Sequence, residues 1–145
     1  VMIKQSFGHI VNTASLAGLV SVPTATPYAA AKHGVVGFSI SLREEAADLG
    51  VKVTVVCPGQ VRTPFHDSLT LTDVHQNGPQ SPSDAVDGRQ AARIILKGVT
   101  RNKRIIIFPL RARLTWIKYR FLPVLIARIN RKMVRNLRAS RPESR

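Results

Sequence analysis

Tyr28 and Lys32, four positions apart in Tyr28-Ala29-Ala30-Ala31-Lys32, are the pair in this chain best suited to move a proton. On a helix they share one face, a turn apart, and the three alanines between them favour helix. A phenol is a weak acid with an ordinary pKa of ~10. A neighbouring ammonium favours its charged form, which makes it a usable acid or base nearer neutrality. Tyr-x-x-x-Lys also describes a core tyrosine beside a lysine that reaches out to water, so the neighbouring residues decide. Thirteen residues before Tyr28 stands Ser15, closing Gly8-His9-Ile10-Val11-Asn12-Thr13-Ala14-Ser15. After the helix comes Val51-Lys52-Val53-Thr54-Val55-Val56-Cys57-Pro58-Gly59, and then Val61 and Thr63.

The elements that must hold these residues alternate strand, helix and strand, as a parallel sheet requires. Residues 9–14 are short and apolar, and predict a strand buried on both faces. Residues 16–27 read as a loop with Gly18, Pro23 and Pro27; Pro27 suits a helix start, with Thr26 as its cap. The helix should run from 28 to about 49 and stop at Gly50. Its apolar stripe would be Val35, Phe38, Leu42, Ala46 and Leu49, with Arg43, Glu44, Glu45 and Asp48 in water. Residues 51–56 predict the next strand. Ser83 or Asp84 can cap a helix ending near Gly98, with Ala85, Ala91, Ala92, Ile95 and Leu96 on its apolar side. Residues 104–108 read as a last strand before Pro109. Helix resumes at Leu110, is interrupted at Pro123 and gives way to a polar end after Arg138.

Ser15, Tyr28, Lys32 and the Pro58-Gly59-x-Val61-x-Thr63 run together resemble the C-terminal half of a classical short-chain dehydrogenase/reductase, closely over 1–65 and loosely over 84–109. The resemblance implies an α/β fold: half of a Rossmann-like, doubly wound parallel sheet over residues 1–109, followed by a basic helical extension at 110–145. It implies NAD- or NADP-dependent interconversion of a hydroxyl and a carbonyl, with Tyr28 as general acid/base. Ser15 would hold the substrate oxygen, and Lys32 would serve both Tyr28 and the nicotinamide ribose. Tyr28, Lys32, Pro58, Gly59, Val61 and Thr63 would line the cofactor, and residues 60–82 would close over substrate. Ala17, Gly18, Val22, Gln60 and the 65–80 loop would line a substrate pocket; they are mostly small, apolar or uncharged polar residues with no clustered arginines, which favours a hydrophobic alcohol or ketone. Asn12 is read as structural. Family members often associate through the helix carrying Tyr28 and the one after the lid, so a homo-oligomer is expected. The family's glycine-rich dinucleotide loop has no counterpart here, so about the first half of the domain is expected to precede Val1. This stretch alone is then expected to be inactive.

Charge is divided unevenly. Residues 1–100 hold eight Lys/Arg against seven Asp/Glu, whereas residues 101–145 hold fourteen against Glu143 alone, out of a net charge of +14. In that extension Leu110, Leu114, Ile117, Phe121, Leu125, Ile129, Met133 and Leu137 recur at steps of three or four among the basic residues, with Trp116 and Tyr119 as added aromatics. Such a pattern suits packing on the domain body or a second subunit, or lying on an anionic membrane surface through residues 110–138. Nucleic acid is the weaker reading, because charge is present without a base-reading motif. A membrane span is excluded by the short apolar run at 121–127. The single Cys57 allows no intrachain disulfide, and His9, His33, His66 and His75 lack metal-ligand spacing, so no metal site is expected. The expected location is cytoplasmic, peripheral to a membrane if the extension docks there. The competing function is a non-catalytic relative acting through its basic tail on a membrane surface or a partner.

Overall fold

β2 (Val51–Pro58) is the centre of the molecule, with Val53, Thr54, Val55, Val56 and Cys57 at 1% exposure or less. A strand so apolar can be satisfied only between two neighbours and under cover on both faces. The computed structural model, which describes residues 1–62 and 85–140, provides both. β1 (Gly8–Thr13) pairs in parallel with one edge, from Gly8 opposite Val51 to Thr13 opposite Val56. β5 (Ile105–Phe108) pairs in parallel with the other, from Val55 opposite Ile105 to Pro58 opposite Phe108. β3 (Val61–Arg62) and β4 (Val86–Asp87) form a second, two-stranded parallel pair.

Side chains of a strand alternate between faces, and here the alternation sorts the core. Val55 and Cys57, with Ile105 and Ile107, pack against α2 (Thr26–Glu45) together with Ala14 and Val36. Val53 and Val51 continue that layer with Ala46, Ile10 and Leu42. Val56, Ile106 and Phe108 face the other way, onto Ala91, Ile94, Ile95 and Val99 of α3 (Gly88–Thr100). Helices therefore cover both faces of the parallel sheet, which is the expected α/β, Rossmann-like architecture. A short helix α1 (Met2–Gln5) precedes β1, and α4 (Leu110–Phe121) and α5 (Pro123–Ala139) follow β5.

Several local expectations are corrected. β1 is not buried on both faces: among the described residues it has one strand neighbour, and Val11 and Thr13 are exposed. Thr26 is the first residue of α2 rather than its cap, and the helix ends at Glu45, followed by a separate 3-10 turn, Ala47–Leu49. The buried residues of α2 are Val36 and Ser39, while Phe38 faces water. The inward row 29, 32, 36, 39, 43, 46 carries polar groups, which hydropathy alone assigns outward. Arg43 is likewise not on the wet face. Its guanidinium donates to the Val53 carbonyl, to Asn102 Oδ1 at 2.9 Å and to the Asn102 carbonyl at 3.1 Å, fastening α2 to β2 and to the turn before β5. α3 starts at Gly88, capped by Asp87, whose carboxylate accepts from Gln90 N at 2.8 Å. Ser83 and Asp84 lie outside the described residues. Ala92 and Leu96 are exposed, because α3 turns Ala91, Ile94, Ile95 and Gly98 to the sheet instead.

His9 shows how the sheet edge disposes of a polar side chain. The Thr54 hydroxyl donates to the Lys103 carbonyl at 2.7 Å, so it accepts from His9 Nε2 at 2.8 Å, which fixes the proton on that nitrogen. Burial holds the His9 pKa below the usual 6.5, with Lys52 and Arg43 adding charge repulsion in the same direction.

Candidate active site

Parallel strands leave their carboxyl ends on one edge of the sheet, where loops from several strands converge. Ala14 N donates to the Val56 carbonyl at 2.8 Å, carrying the β1–β2 ladder one residue past Thr13. Ser15 follows at once, beside the end of β2, where Pro58 lies opposite Phe108. Gly59 N donates to the Phe108 carbonyl at 2.7 Å, so Ser15 and Pro58-Gly59 are anchored at the carboxyl ends of adjacent strands. Ser15 Oγ accepts from Ala17 N at 3.1 Å and caps the 3-10 turn Leu16–Gly18. A hydroxyl that accepts at its oxygen still carries a hydrogen to donate.

Tyr28 comes from the first turn of α2, with Pro27 just inside the helix start, where a missing N–H costs nothing. It is 38% exposed. One turn on, Lys32 Nζ stands 5.6 Å from the centroid of the Tyr28 ring, within the range of a cation–π contact. The Ser15 side reaches this helix through Gly18. A Cβ placed there would stand 2.5 Å from the Lys32 carbonyl oxygen and 2.9 Å from Val36 Cγ2. Only a residue without a side chain lets the turn after Ser15 lie on the backbone beneath Lys32. Asn12, on the same strand as Ser15, braces α2 from below: its Nδ2 donates to Ser39 Oγ at 3.0 Å, and Ser39 donates to the Val35 carbonyl at 2.6 Å. That arrangement agrees with a structural Asn12.

Ser15, Tyr28, Lys32, Pro58 and Gly59 all belong to the segments that meet at this edge. Val61 is half-buried in β3 opposite Val86, and the exposed Gln60 accepts through its carbonyl from Val86 N at 3.2 Å. Val22 is half-buried in the loop before α2. Ala17 and Gly18 are buried, packed under the turn, so they shape the site through the backbone. Thr63, the 65–80 loop and all of the expected lid beyond Arg62 lie outside the described residues. Hydropathy marked neither Ser39 nor Arg43, which position the helix bearing Tyr28; a serine and an arginine in a helix look like solvent-facing residues until their partners are known. Beneath the site lies Cys57, buried, whose thiol burial pushes up from 9.0 to about 11 against a weaker downward pull from the Ser15 backbone. An apolar hollow of about 420 Å³ lies elsewhere, at the amino ends of the strands among Ile10, Leu42, Leu49 and Val51. The placement of the polar groups, not the size of a hollow, singles out the candidate edge. Among the described residues no cluster of three or more His, Cys, Asp or Glu could hold a metal.

Comparison with known proteins gives this edge its relatives. A family model described as short chain dehydrogenase matches residues 1–73. A 3-oxoacyl-(acyl-carrier-protein) reductase of Haemophilus influenzae is 48% identical over 69 residues, 48% of this chain and 28% of that protein. A dehydrogenase/reductase SDR family member 7B of Danio rerio is 33% identical over 108 residues, 73% of this chain and 35% of that one. Among solved structures, a short chain dehydrogenase from Burkholderia cenocepacia in complex with NADP superposes with a TM-score of 0.69 at 21% identity, over 87% of this chain and 48% of its own. A short chain dehydrogenase/reductase from Burkholderia phymatum in complex with NAD gives 0.65 at 25% identity, over 80% and 48%. The chain thus spans about a third or less of these curated relatives and about half of these solved structures. The family model covers β1, β2, the Tyr28 helix and the Pro58-Gly59 turn, half of the chain, and is decisive: the chain belongs to the short chain dehydrogenase family.

Proposed function

We propose that this chain supplies the catalytic half of an oxidoreductase that interconverts a hydroxyl and a carbonyl on a hydrophobic small molecule, using NAD or NADP. The observation that carries the reading is Lys32 Nζ held 5.6 Å from the Tyr28 ring at the carboxyl edge of a parallel sheet, one element away from Ser15. The donor set fits the nicotinamide end of such a cofactor: an ammonium, a phenol and the backbone at Pro58, Gly59 and Val61 gather where parallel sheets bind ligands. When bound, that cofactor supplies or accepts the hydride. Ser15 holds the substrate oxygen through its hydroxyl hydrogen. Tyr28 gives its phenolic proton to that oxygen in reduction and takes it back in oxidation, and Lys32 balances the phenolate charge. The names of the relatives, reductases and dehydrogenases, support the reaction class, and solved neighbours in complex with NADP or NAD support the cofactor class. The outer face of α2 would take a second copy, since Phe38 is exposed and, among the described residues, neither Gly34 nor Gly37 has a neighbour there.

The test is nicotinamide-cofactor binding and ketone reduction by the endogenous protein and its Tyr28→Phe variant. We expect the variant to lose about 10²–10⁴-fold in rate with a much smaller loss of cofactor affinity. An unchanged rate would remove Tyr28 from the chemistry. A second reading, a non-catalytic protein acting through its basic extension, is favoured by one feature: positions 88–142 contain no Asp or Glu. Endogenous protein that binds no nicotinamide cofactor would select it.

A further inference from the structure

α4 and α5 combine high positive charge with apolar rows that no other described part of the chain covers. Residues 110–140 carry nine Lys/Arg and no carboxylate. On α4, Leu110, Leu114, Ile117 and Phe121 are exposed, Phe121 at 72%. The helix turns Ala112, Trp116 and Tyr119 inward instead, so the leucine row is not packed on the domain body and the two aromatics are half-buried. On α5, Leu125, Ile129 and Met133 recur at steps of four and are exposed at 50%, 54% and 37%. Arg128, Lys132 and Arg135 lie along one flank of that row, and Arg131 and Arg138 lie on the opposite face. A shallow hollow opens beside Ile129, Met133 and Leu137.

The occupant of such a face must be anionic and must also take apolar side chains. A second copy would bring the same positive charge against it. A nucleic acid would satisfy the cations but leave Leu125, Ile129 and Met133 in water. An anionic bilayer surface satisfies both at once. α5 is about 25 Å long, and no described helix is long and apolar enough to cross a membrane, so the helix would lie in the surface plane.

We propose that α4 and α5 dock this chain onto an anionic lipid bilayer. Leu125, Ile129 and Met133 enter the boundary between headgroups and acyl chains, while Arg128, Lys132 and Arg135 meet the lipid phosphates and carboxylates. The docked helix is tied to the site: Asn130 Nδ2 donates to Ser21 Oγ at 3.1 Å, and Ser21 belongs to the loop between Ser15 and Tyr28. Resting on the oxidoreductase reading, this places the substrate side of the site near the lipid, from which an apolar carbonyl compound would be drawn.

The full chain is sedimented with phosphatidylcholine vesicles, with and without phosphatidylserine, and separately with duplex DNA; its self-association is measured without lipid. Binding is expected only with phosphatidylserine, and is expected to weaken with added salt. Charge reversal at Arg128, Lys132 and Arg135 to Glu should weaken it at least about tenfold. Leu125→Ser/Ile129→Ser/Met133→Ser should weaken it about as much, with circular dichroism unchanged. Unimpaired vesicle binding by the serine variant would overturn the proposal. So would DNA binding without vesicle binding, or a lipid-free dimer that the serine variant abolishes. Vesicle binding is read without substrate, and Tyr28→Phe should bind as wild type, so loss of this proposal leaves the Tyr28 assignment intact.

Discussion

At the residue scale, the proposed acid/base and the group beneath it differ in access to water. Tyr28 is partly exposed beside an ammonium, whereas Cys57 is sealed under Ser15 with its thiol value raised to about 11. A thiol with a folded-state value above its unfolded one binds its proton more tightly when folded. Its contribution to stability is therefore complete below about pH 9 and lost as the pH rises toward 11. Chemical denaturation between these limits should show a decline that Cys57→Ala lacks, on the order of 2–3 kcal/mol. The same burial predicts slow reaction of native Cys57 with a disulfide reagent at pH 8 and fast reaction in denaturant. Equal rates in both states would contradict the buried placement. The types and spacing of Ser15, Tyr28 and Lys32 were readable because they are few and ordered along the chain. Ser39 and Arg43 were not, because a buried polar side chain is distinguished from a solvated one only by its partners.

At the scale of elements, α2 is positioned by polar contacts as much as by apolar ones. Its inward side includes Lys32, Ser39 and Arg43, and Phe38 sits outside, so hydropathy around the helix placed Val35, Leu42 and Ala46 against the core correctly but missed the polar part of the buried face. Strands were easier to read. β2 is apolar throughout, as a central parallel strand must be, and needs no phase. The tightest joint is between the turn after Ser15 and α2. Gly18→Val would drive a side chain into the Lys32 carbonyl, which as backbone cannot step aside. A loss of about 1–3 kcal/mol in unfolding free energy is expected, along with a larger fall in the proposed oxidoreductase activity than in cofactor affinity. A Gly18→Val protein as stable as wild type would show that the turn does not rest on α2 as described.

For the whole molecule, the joint between the candidate site and the basic extension is Gly59. A Cβ there would stand 2.9 Å from Ala112 Cβ on α4 and 3.3 Å from Pro109 Cδ. Gly59→Val should push α4 off the end of the sheet. Trp116, the chain's one tryptophan, is half-buried on that helix, so its fluorescence should shift to the red. An unshifted spectrum would mean that α4 is seated by other contacts. The sequence alone determined the alternation of strands and helices, the break at Pro123, the charge asymmetry and the order of Ser15, Tyr28, Lys32 and Pro58-Gly59. These depend on local preferences and on spacing, which the chain carries with it. That the buried face of α2 carries Lys32, Ser39 and Arg43, that Gly18 must be bare, and that Leu110, Leu114 and Leu125 face water were decided by the tertiary structure. They depend on contacts between residues distant in sequence, where close packing allows one arrangement and periodicity allows several.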